Sequence, residues 1–119
     1  MHRGTFEEDP QTTEAAHVGA RTHRIDGSQI TTSAEAMAAI AVALWFPDYF
    51  GHNLDALYDC LTDLTWLPEG EHLLIWSRSA VLREADPAAY EAIRSVLADA
   101  VADDTPKAAF LSVLLLLND

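Results

Sequence analysis

Residues 47–62 read Pro-Asp-Tyr-Phe-Gly-His-Asn-Leu-Asp-Ala-Leu-Tyr-Asp-Cys-Leu-Thr, and they divide into a loop and a helix. Pro47 cannot continue a helix that precedes it, so the stretch from Pro47 to His52 reads as a loop. Asn53 is a good N-cap, because its side-chain oxygen can accept from a backbone N–H in the first turn. Beyond it Leu54, Leu57, Leu61 and Leu64 recur at three- and four-residue spacing, a stripe that calls for burial. Asp55, Asp59 and Asp63 lie at i, i+4 and i+8, so three carboxylates stack on one face. Like charges at that spacing cost roughly 0.2–0.5 kcal/mol per pair. Asp is also a mediocre helix former, and only Asp55 is near enough to the helix start to gain from the dipole. Stability alone does not choose this ladder. A cationic partner would offset the repulsion; the plain alternative is a solvated face of an acidic protein. Tyr49, Phe50 and Tyr58 flank the ladder as aromatics do at interface hot spots, although Phe50 and Tyr58 could equally pack in the core.

Upstream, residues 1–20 are polar and aperiodic and are expected to form a flexible tail that contributes little burial. A strand is expected near Thr22–Ile25, closed by Asp26-Gly27. Thr32-Ser33-Ala34-Glu35 has the form of a capping box, with Glu35 reaching back to the Thr32 backbone. The Ala-rich helix that follows extends to Trp45. It is apolar nearly all round and is expected to be well buried.

Downstream, His72–Trp76 reads as a buried strand, and Leu82–Ala85 as a helical turn. Pro87 suits the first turn of a helix capped by Asp86, reaching about Ala102 with Tyr90, Ile93, Val96, Leu97 and Val101 inward. Ala109–Leu117 is a further buried strand. Strands alternating with helices imply an α/β fold with a parallel sheet and right-handed crossovers.

The chain has 119 residues, half of them apolar, which suits one domain with a real core. The single Cys60 cannot form an internal disulfide, which suits a reducing cytoplasm. Seven Lys and Arg against nineteen Asp and Glu give a net charge of -12. Phosphates and anionic membrane surfaces are therefore poor partners, whereas a cationic protein is attracted over a distance. The N-terminal residues lack the apolar core of a signal peptide, and the apolar runs are too short to span a bilayer. The histidines are scattered without metal-ligand spacing, and glycine-rich phosphate loops are absent. No catalytic residue, metal or cofactor is expected.

The run from Asp48 to Thr62, with its pattern aromatic-aromatic-Gly-x-Asn-Leu-Asp-Ala-Leu-aromatic-Asp-Cys-Leu-Thr, resembles the barstar family of intracellular ribonuclease inhibitors. The order of elements over about residues 21–119 agrees. The resemblance implies a two-layer fold, with helices packed on a three-stranded parallel sheet in order 1-2-3. It implies that the second helix and its preceding loop enter the cleft of a basic, barnase-like ribonuclease. Tyr49, Asp55, Tyr58 and Asp59 fall on family contact positions, with Asp59 as mimic of a substrate phosphate. Asn53 and Thr62 match positions at or beside the contact. Asp99 aligns approximately with a glutamate that reaches the enzyme. The chain departs from the family at His52 for a glutamate, Tyr58 for a tryptophan and Asp63 for a glycine. Leu64 stands where the family has a second tryptophan contact, which Trp66 could supply. Two other functions fit the residues: a non-inhibitory acidic module that binds some other basic protein, and a small hydrolase using His52, Asp55 and Asp59.

Overall fold

A computed structural model describes residues 4–9, 17–48, 50–103 and 105–119. Strands β1 (Phe6–Glu8), β2 (Arg21–Asp26), β3 (Gly70–Ser77) and β4 (Ala109–Leu115) form one sheet in the order β1-β4-β3-β2, every pair parallel. Between them lie α1 (Ser33–Ala43), α2 (Leu54–Asp63), α3 (Ala80–Ala85) and α4 (Pro87–Ala102). Ile25, Leu74, Trp76, Leu111, Val113 and Leu115 point to the helices and join Leu57, Leu61, Ile93 and Leu97 in the main core. On the opposite side of the sheet Leu73, Ile75 and Leu114 are buried beside Ala20 and Leu116. Burial on both sides explains why β3 and β4 are continuous apolar runs rather than alternating ones.

The sheet has four strands, not the three expected from sequence. The extra one comes from the segment read as a flexible tail. Phe6, Glu7 and Glu8 pair with Val113, Leu114 and Leu115. A three-residue strand is too short to register as periodicity, and it forms here because β4 would otherwise be a bare edge. Glu8 anchors it. Its carboxylate accepts from the Tyr90 hydroxyl and, at 3.0 Å, from Arg94 Nε on α4. Burial works against the Glu8 charge, but these donors outweigh it and hold its carboxyl below the usual 4.5. Burial first, then the bond to Glu8, pushes the Tyr90 hydroxyl up to about 12, so Tyr90 stays a donor. Behind the sheet, Glu71 Oε2 accepts from Ser112 Oγ at 2.6 Å and meets His17 Nδ1 at 2.8 Å, so the buried Ser112 is satisfied.

The ends of α1 depart from expectation in instructive ways. Thr32 caps it, accepting from Glu35 N at 3.1 Å. The Glu35 carboxylate, however, accepts chiefly from Thr31, from its N and Oγ1 at 3.0 Å, with Thr32 the lesser partner. At the other end the helix stops at Ala43 rather than at Trp45. Phe46 N donates to Ala41 O at 2.9 Å and Trp45 N to Val42 O at 3.3 Å, a Schellman closure with Trp45 at φ 57°. Glycine is the usual residue there, and a left-handed non-glycine residue costs about 1–2 kcal/mol. Nor is α1 buried all round. Ala36, Met37 and Ile40 face the core, while Val42 is 75% exposed and Trp45 just beyond it 67% exposed. A helix of small apolar residues gives no sequence signal for which side faces in.

Candidate binding site

The α2 helix is built as its sequence specifies. Asn53 Oδ1 accepts from Ala56 N at 2.8 Å, and Leu64 closes the far end in a left-handed turn at φ 52°. Leu57, Cys60 and Leu61 are buried, which turns Asp55 and Asp59 to solvent, with Asp63 half-buried beside them. Among the described residues none of the three carboxylates makes a hydrogen bond or ion pair, so the ladder is presented without internal counter-charge. Burial, and then the charges of Asp63 and Asp59, push the Cys60 thiol up, so it remains protonated under the helix.

Tyr58 is 37% exposed, beside Asp59 on the outer surface rather than in the core. The Thr62 hydroxyl is engaged internally, donating to Tyr58 O at 2.9 Å. Tyr49 lies outside the described residues. Asp99 is exposed on α4. It stands one turn before Asp103, whose carboxylate meets Lys107 Nζ at 3.2 Å while the same ammonium donates to Thr62 O at 3.0 Å. Lys107 thus ties the C-terminal ends of α2 and α4 together. Sequence reasoning missed Lys107, although a lone cation among acids after a helix end is the available signal.

The loop before α2 is held by aromatics. Phe50 is buried against Phe46 at 5.0 Å between centroids, and His52 stacks on Phe50 at 4.6 Å. Trp66 packs on Phe46 and donates from Nε1 to Leu44 O at 2.9 Å. Its role is to fasten the loop to the end of α1, and Leu64 is fully buried. Leu64 is therefore closed to a partner, and the Trp66 indole N–H is already engaged. With loop and helix both fixed, the carboxylates stand on a rigid support, so a cationic cleft can receive them at little ordering cost.

Lys107 supplies the cation that α2 lacks in its own last turn. Lys107→Met should lower stability by about 1 kcal/mol and speed amide exchange in the last turn of α2. Unchanged denaturation and exchange would show that the ammonium does not hold this end.

Among the described residues no group of three or more His, Cys, Asp and Glu side chains could hold a metal ion, and no helix is long and apolar enough to cross a membrane. Residues 20–114 match the family model described as Barstar (barnase inhibitor). A 23-residue segment is 70% identical to a protein of Bacillus subtilis (strain 168) described as "Putative ribonuclease inhibitor YrdF"; the match covers 19% of this chain and 25% of that protein.

Proposed function

The chain belongs to the barstar family, and from that membership we propose that it inhibits a basic ribonuclease by seating the acidic face of α2 in the enzyme's cleft. The observation that carries this reading is the pair Asp55 and Asp59, exposed one turn apart on a capped helix and without an ion-pair partner among the described residues. A ribonuclease cleft gathers Arg, Lys and His to hold substrate phosphates, and the same donors can bind a carboxylate. Asp59 is the phosphate mimic, Asp55 its neighbour toward the helix start, and Tyr58 an apolar flank. Asn53 positions the first turn through its cap. Family membership adds Tyr49, Asp99 and Thr62 as further contact positions. The protein acts by occupancy, without turnover, in the compartment where such an enzyme must be kept silent before export. The net charge of -12 supports fast capture of a basic enzyme at low salt.

Barnase is the direct probe. Adding the chain to barnase in an RNA-cleavage assay should abolish activity with a one-to-one end point. Full activity at a large molar excess would overturn the inhibitor reading. It would leave the acidic module, which binds a basic protein of another kind, as the better account.

A further inference from the structure

We propose that the contact with the basic enzyme extends beyond α2 onto the end of α1, where Trp45 receives a basic side chain of the partner. This rests on the ribonuclease reading above and adds a second contact region to it. Three observations carry it. Trp45 is two-thirds exposed and Val42, one turn earlier, three-quarters exposed; the other exposed apolar positions of α1, Ala34 and Ala38, carry only a methyl group. Large exposed apolar groups that adjoin one another mark contact sites more often than isolated ones do. The second observation is backbone conformation. Trp45 occupies a left-handed position at φ 57° that glycine would fill without strain. Among the described residues, its ring meets one aromatic neighbour, His23, in a T-shaped contact at 6.4 Å between centroids. Neither burial nor helix closure accounts for tryptophan at this position.

The third observation is continuity. A groove runs from Val42 and Trp45 past Phe46 to Asp48, Phe50 and His52, the loop that delivers the chain into α2. The apolar shelf therefore reaches the loop that leads to the Asn53 cap of α2 and carries a carboxylate of its own, Asp48. That combination fits an Arg or Lys, with the alkyl stem or guanidinium plane on the indole and the head group toward Asp48. Charge decides between occupants. A second copy of a chain with net charge -12 is repelled, whereas a basic protein is drawn to the rim.

The test pairs Trp45→Gly with Trp45→Phe and measures melting temperature and barnase affinity for both. Trp45→Gly removes the ring and relieves the backbone together. Its melting temperature should stay level or rise, while barnase affinity falls at least tenfold. Trp45→Phe keeps an aromatic face and should recover most of the affinity. Asp59→Ala runs alongside as the control for the underlying reading. If Asp59→Ala weakens binding and Trp45→Gly stays within twofold of the parent, the shelf is overturned and the inhibitor reading stands. If Trp45→Gly lowers the melting temperature by several degrees, the indole belongs to the fold and the proposal is likewise overturned. If the parent chain does not bind barnase, both fail together. Dimerisation of the parent that Trp45→Gly abolishes would assign the shelf to a second copy instead.

Discussion

Asp59→Ala is expected to weaken barnase binding at least thirtyfold while leaving the free protein as stable as before or slightly more so. In the complex, the substitution would leave the phosphate-binding cations of the cleft without a counter-charge. Truncating one member of a buried, hydrogen-bonded charge pair costs roughly 2–5 kcal/mol or more, mostly as faster dissociation, and the range rests partly on barnase–barstar itself rather than on this structure. Thirtyfold corresponds to about 2 kcal/mol, the lower end. In the free protein Asp59 is exposed and makes no bond among the described residues. Its removal deletes two like-charge contacts, with Asp55 and Asp63, and puts a better helix former in place. The opposite signs separate a binding residue from a structural one. A melting curve and an affinity measurement on this one variant check both halves. Unfolding, or an affinity within threefold of the parent, would remove Asp59 from the proposed role.

The largest expected effect on stability comes from the N-terminal strand. Deleting residues 1–8 should lower stability by about 2–4 kcal/mol and make the protein prone to self-association. The energy has three sources. Glu8 gives up its bonds to Tyr90 and Arg94, and hydrogen bonds to a charged group contribute about 1.5–3 kcal/mol each. Phe6 gives up a half-buried position, with the Arg94 guanidinium 5.4 Å over its ring. Finally β4, whose residues are Ala-Phe-Leu-Ser-Val-Leu-Leu, becomes an exposed edge, the kind of surface that templates aggregation. Thermal denaturation and light scattering would read the two effects, and an unchanged melting temperature with a monodisperse product would refute them. A narrower variant isolates the charge. The Glu8 carboxyl is held below 4.5 in the folded protein, so its stabilisation is present above that value and is lost as pH falls through the folded pKa. As pH falls below about 5, the parent should therefore lose stability more steeply than Glu8→Gln.

The α2 site was legible in sequence because its signals are local. Asn53 as cap, the leucine stripe and the aspartate spacing each need only the helical period to be read, and each stands where that period puts it. Asp86 and Pro87 announced α4 in the same way: Asp86 Oδ1 accepts from Ala89 N at 3.1 Å. What stayed hidden depends on tertiary pairing. Phe6–Glu8 is a strand only because β4 is beside it. Lys107 has its role only because α2 and α4 end together. The outward face of α1 could not be chosen, because Ala34, Ala38 and Val42 differ too little from Ala36, Met37 and Ile40 for hydropathy to orient the helix. Trp45 went unread for a related reason. A tryptophan at a left-handed helix end is invisible until the backbone is known, and only then does its exposure ask for a partner.

If the α2 carboxylates occupy the place of substrate phosphate, chain and nucleotide must compete for the enzyme. Barnase affinity would be measured at rising concentrations of a mononucleotide that fills the enzyme's phosphate site. The apparent Kd for the parent chain should rise linearly with the mononucleotide concentration. Binding that is unaffected by saturating mononucleotide would place the chain elsewhere on the enzyme and rule out the phosphate mimic.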